Sequence, residues 1–359
     1  MPNSSTIPPP PFEAISPDEP VLIVANPSSR SGKAAMRFEP LRTLLDKYKI
    51  TYSLRLTTPD GKTVERVSRA ISEEGFRTVV YLGGDGTFND VAKGTCQSGK
   101  AREVRIGMLP AGTANDQGKS FGISSTQKAL EENIRIIAAG NTTQLDVGEV
   151  TAWSESGIVQ RRDLFFDSAG WGLSAAILSY RNQEREIVKK LPVVRDMYRD
   201  QMVYISAAAR ELALSWVTRD RFTAIAEIDG KTHILDRLSD LVVSNTAVYA
   251  GEWIIDTGSK HDDGMLEIAP FHGVRDWTSK LILHHKKVPL TEEMVNRIGV
   301  SHSPTLRGSD IKIKFIKLGK NKKLLTQLDG EEFLTADRFE ICVHKRLLNL
   351  IVPENFHWI

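Results

Sequence analysis

Short apolar runs and polar loops alternate along the first part of the chain. Segments with the apolar spacing of a helix lie between the runs. In 59–74, for example, Val64, Val67 and Ile71 recur at intervals of three and four residues. Unbroken apolar runs of this length are typical of strands buried in a parallel sheet. Strands that alternate with helices predict βαβ units. We expect such strands at 20–25, 78–82 and 104–108, and a further strand at 52–57, where apolar and polar residues alternate.

From about Leu145 the pattern changes to strands separated by turns. We expect strands at 221–228, 239–244, 265–271, 310–317 and 338–343. One long helical stretch intervenes, at about 175–215. Runs of strands after a βαβ half predict a second, mainly antiparallel domain. The predicted fold class is therefore an α/β N-terminal domain with a parallel sheet, followed by an antiparallel β domain.

Composition narrows the class of protein. The chain has 359 residues, of which 41% are hydrophobic and 26% charged, as in a soluble globular protein of two domains. A net charge of +2 argues against a dedicated nucleic-acid binder. The two cysteines, Cys96 and Cys342, cannot form a disulfide framework, which favours a reducing cytoplasm.

The first residues have neither the basic segment nor the apolar segment of a secretory signal. Their prolines and small polar residues predict a disordered tail over 1–19. No run approaches the roughly 20 apolar residues that a membrane-spanning helix needs. We therefore expect no membrane-spanning segment.

The strongest chemical motif is Gly83-Gly84-Asp85-Gly86-Thr87, which follows a predicted strand and precedes a short helical stretch. Glycines let backbone amides approach a phosphate closely, and a helix N-terminus adds positive potential. The aspartate can face a magnesium ion or a hydroxyl group. A tight turn with glycines for steric reasons is the alternative, but three glycines, an acid and a threonine in five residues favour a phosphate site.

Two further loops follow predicted strands, at 109–116 and 26–32. The first of these shares a sheet edge with the 83–87 loop, and we expect the two to complete one nucleotide site. By contrast, Gly61-Lys62-Thr63 lacks the earlier glycine of a Walker A loop. The segment 170–175 fits a dinucleotide pattern loosely, and we interpret it as close packing that lines a cleft.

Two acidic turns, at 261–264 and 327–332, are ordinary solvated hairpin turns if each is taken alone. The order of all these motifs, however, resembles the bacterial diacylglycerol kinase family, which is similar to the catalytic domains of eukaryotic sphingosine, ceramide and diacylglycerol kinases. The matching segments are NPSSRSG at 26–32, LTTPDG at 56–61, GGDGTFND at 83–90, LPAGTANDQG at 109–118, FFDSAGWGLSA at 165–175, DDGMLEI at 262–268 and LDGEEF at 328–333.

The GGDGT loop is shared with NAD kinases, whereas the PAGTAND loop and the late DGE turn are specific to the lipid-kinase branch. The resemblance implies a nucleotide-binding domain of the NAD kinase and diacylglycerol kinase type, formed by 20–146 and 347–359. It also implies that 147–346 form a β-sandwich domain for the lipid substrate.

The implied activity is transfer of the γ-phosphate of ATP, with Mg²⁺, to the hydroxyl of a lipid such as diacylglycerol or a sphingoid base. Phosphatidic acid would be one such product. The implied nucleotide contacts are Asn26, Pro27, Ser28, Thr57, Gly83, Gly84, Asp85, Gly86, Thr87, Phe88, Asn89 and Thr113.

The resemblance implies that Glu331 is the general base, with Asp329 beside it and Asp85 as the next candidate. Two residues apart in an extended segment, Asp329 and Glu331 would point to the same side, one to hold metal and one to take the proton. The implied structural Mg²⁺ site uses the side chain of Asp263 and the main-chain oxygens of Lys260 and Met265.

A lipid partner implies a cytoplasmic protein at a membrane surface, and the basic segments 181–199 and 307–323 suit anionic lipids. Two other functions stay open: phosphorylation of a soluble substrate, as in NAD kinases, and a non-catalytic lipid-binding module. The sequence leaves open the acceptor lipid, the phosphate donor, the role of the tail and whether the chain forms a homodimer.

Overall fold

The computed structural model describes residues 12–29, 32–58, 60–179, 221–249, 253–254, 256, 258–273, 276, 303–317 and 324–358. The chain divides into two compact units. The first comprises 1–147, 261–263 and 345–359, and the second comprises 148–260 and 264–344. Most of the predicted helix at 175–215 and the basic segment 181–199 lie outside the described residues.

The first unit is built on a parallel sheet. Its strands are β1 (Val21–Ala25), β2 (Tyr52–Leu56), β3 (Thr78–Gly83) and β4 (Arg105–Pro110). They run in the order β2-β1-β3-β4, and each neighbouring pair is parallel. The end of β18 (Arg338–Ile351) also pairs with β4 in parallel. The predicted α/β class of this unit is confirmed.

The described residues of this unit form five α-helices: α1 (Phe38–Lys47), α2 (Thr63–Ser72), α3 (Asp85–Gln97), α4 (Asp116–Ser120) and α5 (Leu130–Ala139). Helix α2 packs against α3, and α1 packs against α5. A Cβ atom at Gly94 of α3 would lie 2.7 Å from the carbonyl oxygen of Val64. The absence of a side chain there lets α2 and α3 approach closely.

The second unit consists of antiparallel strands in two main sheets. One contains β8 (Phe222–Ile228), β9 (Lys231–Leu238), β15 (Asp310–Lys317) and the first part of β18, with β5 (Thr142–Trp153) and β6 (Val159–Phe165) attached. The other runs in the order β14 (Leu306–Gly308), β13 (Leu266–Phe271), β10 (Asp240–Ser244), β7 (Ser168–Gly172), β16 (Thr326–Leu328) and β17 (Glu331–Phe333). Two short strands, β11 (Val248–Tyr249) and β12 (Trp253–Ile254), form a separate pair.

One apolar core joins these two sheets face to face. The ring of Trp171 on β7 lies 5.8 Å from that of Phe315 on β15 and 5.2 Å from that of Phe339 on β18. The antiparallel β-sandwich class is therefore confirmed. Trp171 is fully buried, so the close packing predicted for 170–175 is confirmed. The prediction that this segment lines a cleft is wrong, because the segment is a core strand that leads into a helical turn.

Several strands have too little apolar alternation to be predicted. Strand β9 (Lys231–Leu238) lies at a sheet edge, and most of its residues are exposed or half-buried. The strand predicted at 338–343 continues to Ile351, although Lys345 and Arg346 interrupt its apolar pattern. Pairing with partner strands, rather than local sequence, sets these boundaries.

Glu267 is a buried carboxyl group in the second unit. Its Oε2 accepts a hydrogen bond from the Ser259 hydroxyl at 2.9 Å, and its Oε1 accepts one from Arg307 Nη2 at 2.9 Å. Burial nevertheless raises the pKa of Glu267 to about 7, against the opposing effect of both partners. The folded protein therefore binds this proton more tightly than the unfolded chain does.

We expect this carboxyl group to make the protein less stable as pH rises. Between about pH 4.5 and 7 the folded state holds the proton and the unfolded state releases it, so stability falls, by about 3 kcal/mol for this one group. Glu267→Gln keeps the hydrogen bonds and removes the titration. Urea unfolding across this pH range should show a flatter stability profile for Glu267→Gln, whereas Glu155→Gln, at an exposed carboxylate, should follow the wild type. Equal slopes for wild type and Glu267→Gln would contradict the assignment.

Candidate functional site

The strand order of the first unit marks one edge of its sheet as a binding site. From β1 the chain goes to β2 on one side, while β3 and β4 lie on the other side of β1. The direction of winding thus reverses between β1 and β3. Ligands of open α/β sheets bind beyond the carboxyl ends of the strands at such a point. The loops after β1 and β3 flank this position, and both carry predicted nucleotide contacts.

The two glycine-containing loops after β3 and β4 touch each other through their backbones. A Cβ atom on Gly112 would lie 2.5 Å from the Cα of Gly84, and one on Gly84 would lie 3.2 Å from the Cα of Gly112. Neither residue has a positive φ angle. Close approach, and not backbone conformation, therefore requires glycine here. The expectation that these loops meet at one sheet edge is confirmed, since Ala111 also donates a backbone hydrogen bond to Gly83 at 2.6 Å.

The residues after Gly84 turn at once into helix α3. A Cβ atom on Gly83 would lie 2.3 Å from Thr87 Oγ1, so this glycine makes room for the threonine side chain. Phe88 is fully buried and packs edge to face on Tyr81, with ring centroids 5.6 Å apart. The Phe88 side chain thus belongs to the core. Any nucleotide contact from Phe88 would have to come from its backbone.

Asp85 links the two loops. It is the first residue of α3, and its Oδ2 accepts a hydrogen bond from the backbone N–H of Asn115 at 2.8 Å. Asn115 Oδ1 in turn accepts the N–H of Gly112 at 2.8 Å. Burial raises the pKa of the Asp85 carboxyl, and backbone amides at the start of α4 oppose that rise. Asp85 Oδ1 is buried and has no hydrogen-bond partner in the described part of the chain.

The loop after β1 is held in a defined shape. Asn26 donates its backbone N–H to Leu82 at 2.8 Å, and its Oδ1 accepts the N–H of Ser28 at 3.0 Å. The backbone N–H of Thr57 bonds to Ala25 at 2.9 Å, which places Thr57 beside this loop. Of the other predicted contacts, Thr113 is exposed. The structure therefore brings the loops after all four strands to one edge.

Arg37 is a buried residue at this edge that the sequence analysis did not identify. Its Nη1 donates to the carbonyl of Pro110 at 3.0 Å, and its Nη2 donates to that of Ser125 at 2.7 Å. Pro110 ends β4 immediately before the second glycine-containing loop. Arg37 therefore anchors that loop and brings a positive charge near it. No local sequence signal distinguishes this arginine from others on the surface.

In the second unit, Asp329 and Gly330 form the two-residue turn between β16 and β17. Their φ angles are +48° and +75°, as in a type I′ hairpin. Asp329 therefore does not lie in an extended segment, and the prediction that it points to the same side as Glu331 by strand alternation is wrong. A left-handed turn residue breaks the period of two.

The carboxylate of Asp329 binds backbone amides. It accepts hydrogen bonds from the N–H groups of Phe166 at 2.9 Å, Asp167 at 2.8 Å and Ser168 at 3.0 Å. In return, Ser168 accepts the Asp329 N–H at 2.8 Å. Asp329 thus holds the turn between β6 and β7 against the hairpin, which is a structural role that its position in an acidic motif does not reveal.

Glu331 has a different environment. It begins β17 and is exposed, and its carboxylate has no hydrogen bond or ion pair with the residues that the structure describes. Glu331 is paired with Leu328 across the hairpin. The hairpin thus presents a carboxylate that solvent and a substrate can reach.

The residues predicted to bind a structural Mg²⁺ ion lie just before β13. Lys260 is exposed, and Asp263 and Met265 are half-buried. Their assignment as ligands stays a prediction, as do the catalytic and nucleotide contacts. None of the described helices is both long enough and apolar enough to cross a bilayer.

Comparisons with known proteins agree with this architecture. Residues 20–150 match the family model of the diacylglycerol kinase catalytic domain. Among curated proteins, "Probable lipid kinase YegS" of Salmonella heidelberg is 36% identical over 123 residues, which are 33% of this chain and 40% of that protein. The same values hold for its counterpart in Salmonella agona. The match thus spans 40% of the length of these curated relatives.

Solved structures share the fold over most of the chain. A diacylglycerol kinase from Bacillus anthracis has a TM-score of 0.64 at 16% identity, with 94% of this chain and 97% of that chain covered. Yeast NADH kinase has a TM-score of 0.50 at 11% identity, with 96% and 84% covered. The fold is therefore of the diacylglycerol kinase and NADH kinase type. Residues 20–150 are thus similar to the catalytic domain of diacylglycerol kinases.

Proposed function

We propose that this protein is an ATP-dependent lipid kinase that phosphorylates the hydroxyl group of diacylglycerol or a sphingoid-type lipid. Phosphatidic acid would be the product from diacylglycerol. The observation that carries this proposal is the direct backbone contact between Gly84 and Gly112, in the loops after β3 and β4, beside the switch point between β1 and β3. Two loops without side chains at their contact leave backbone amides free to approach phosphates.

The residues at this edge suit a magnesium–nucleotide complex. The buried Asp85 Oδ1 lacks a hydrogen-bond partner among the described residues, as expected of an oxygen that faces a cation or its water. The residues proposed to hold ATP are Asn26, Pro27, Ser28, Thr57, Gly83, Gly84, Asp85, Gly86, Thr87, Phe88, Asn89 and Thr113. When bound, Mg²⁺ neutralises charge on the phosphates.

In the proposed reaction, the lipid hydroxyl oxygen forms a bond to the γ-phosphorus while the bond between that phosphorus and the β,γ-bridging oxygen breaks. Glu331 takes the hydroxyl proton, and ADP leaves. Asp329 positions Glu331 indirectly. Its hydrogen bonds to the backbone at 166–168 fix the hairpin turn that immediately precedes Glu331. Asp263, with the main-chain oxygens of Lys260 and Met265, is proposed to hold a structural Mg²⁺ ion.

A lipid acceptor requires that the protein work at a membrane surface, and we include peripheral association from the cytoplasm in the proposal. The described basic residues give weaker support for membrane association than the number of basic residues in the sequence suggests. Arg307 is paired with Glu267 at 2.9 Å, and Lys312 is paired with Glu227 at 2.9 Å. Both positive charges are thus partly neutralised by carboxylates of the same unit. The segments 181–199 and 318–323 lie outside the described residues.

A soluble acceptor is the second candidate, because the fold is shared with yeast NADH kinase. Purified protein incubated with labelled Mg-ATP and either a total lipid extract or NAD separates the two. We expect label in the organic phase, and mass spectrometry of that product identifies the lipid. Label only in the aqueous NAD product would contradict the lipid proposal. Lipid binding without turnover with any nucleotide would indicate a non-catalytic module.

We expect Asp85→Asn to weaken Mg-ATP binding at least tenfold. The substitution keeps the size of the side chain, but it removes the charge that faces the proposed cation and replaces one oxygen by a hydrogen-bond donor. Loss of a hydrogen bond to a charged group costs about 1.4 kcal/mol or more of binding free energy, which corresponds to at least tenfold in affinity. Calorimetric titration with Mg-ATP measures the affinity. Asp90→Asn, five residues further along α3, is the matched control and should bind as the wild type does. Unchanged affinity in Asp85→Asn would remove Asp85 from the site.

A further inference from the structure

Three potential metal ligands from two strands of the second unit lie close together. They are Glu149 on β5 and Cys342 and His344 on β18, and their ligand atoms all lie within 4.8 Å of one another. Cys342 and His344 are two residues apart on one strand, so they share a side. Phe339 and Ile341 of the same strand are buried in the core. The three ligands therefore project from the face of the sheet that is turned away from the core.

We propose that Glu149, Cys342 and His344 bind a divalent transition-metal ion, with Zn²⁺ as the best match. A thiolate, an imidazole and a carboxylate are the ligand types that zinc prefers, and three protein ligands leave a fourth position for water. Mg²⁺ prefers oxygen ligands alone. This site is thus chemically distinct from the proposed magnesium sites, and it does not depend on kinase activity.

The ligands are already held near their binding positions. His344 Nε2 lies 3.0 Å from Glu149 Oε2, and Arg162 Nε lies 3.2 Å from Glu149 Oε1. A bound ion would replace the contact between His344 and Glu149, while Arg162 can keep the other carboxylate oxygen as an outer partner. Such outer partners orient metal ligands and tune their affinity. Cys342 is exposed and the other two ligands are half-buried, which leaves an entry path for the ion.

Binding requires that the thiol of Cys342 lose its proton. Burial, Glu149 and Asp310 raise the pKa of Cys342, and Arg162 opposes them. Asp310 is paired with Cys342 across the neighbouring strand β15. On metal binding a sulfur–metal bond forms and one proton passes to solvent, with no change in oxidation state. The positive ion then replaces the proton next to two carboxylates.

The first test uses the full-length protein freed of metal by a chelator. Zn²⁺ titrated against a chromophoric competitor should bind with a stoichiometry of one, and Co²⁺ should give the charge-transfer absorption of a thiolate ligand. Cys342→Ser and His344→Gln should each weaken Zn²⁺ binding at least tenfold, and Cys342→Ser should abolish the Co²⁺–thiolate band. Cys96→Ser is the matched control and should bind as the wild type does, since burial raises the pKa of Cys96 to about 12.

A second test needs no variant, so it stands even if a substitution disturbs folding. Zn²⁺ should slow alkylation of Cys342 in the wild-type protein, measured by mass spectrometry of its peptide. Absence of Zn²⁺ binding, affinity unchanged in both Cys342→Ser and His344→Gln, or an alkylation rate unaffected by Zn²⁺ would each overturn the proposal. All of these measurements are made without nucleotide or lipid, so their failure is distinguishable from failure of the kinase proposal.

Discussion

Glu331→Gln should lower kcat by about 10²–10⁴-fold while it leaves ATP affinity close to that of the wild type. Glutamine keeps the size and shape of the side chain and removes only its ability to accept a proton. Glu331 lies on β17 of the second unit, whereas the proposed nucleotide contacts belong to the first. Steady-state kinetics with a lipid acceptor and calorimetry with Mg-ATP measure the two quantities separately.

Glu332 provides the matched control for this experiment. It is the next residue of β17 and is also exposed, but successive residues on a strand point to opposite faces. Glu332→Gln should therefore retain near-wild-type turnover. If Glu331→Gln turns over normally, the proton acceptor is another group, and Asp85 becomes the next candidate. A solvated acidic hairpin without a catalytic role predicts that both variants are active.

Asp329→Asn should destabilise the protein by about 2 kcal/mol or more. Asparagine tolerates the left-handed backbone that residue 329 adopts, at φ +48°, so the turn itself is preserved. However, its amide has one acceptor oxygen in place of two and no charge, and it must serve the N–H groups of Phe166, Asp167 and Ser168. Urea unfolding followed by tryptophan fluorescence measures the loss.

The same variant separates two roles for Asp329. If it holds the backbone at 166–168, turnover falls together with stability, and the Mg²⁺ concentration that gives half-maximal rate stays unchanged. If instead Asp329 binds metal during catalysis, that concentration rises and the folded protein is as stable as the wild type. Gln327→Leu is a useful companion, because Gln327 Oε1 accepts the N–H of Gly330 at 2.8 Å in the same turn. It should loosen the hairpin without removing a carboxylate.

The local sequence was sufficient for much of the first unit. Apolar runs such as 20–25 and 78–82 predict buried strands because side chains covered on both faces of a sheet must all be apolar. The glycines of the 83–87 motif predict a loop whose backbone amides can approach a phosphate, because glycine has no Cβ atom. Each of these features depends only on residues that are close together in the chain, so it can be predicted from the sequence.

The tertiary structure alone decided which distant residues meet. Three contacts join residues that no sequence period relates. Asp329 binds the backbone of Phe166, and Arg37 binds that of Pro110. Asp85 binds Asn115, whose side chain in turn binds Gly112. The turn at Asp329 even reversed an inference from strand alternation, because a left-handed residue changes the direction in which the next side chain points. Such contacts depend on strand order and register. These follow from packing of the whole chain and not from any single segment.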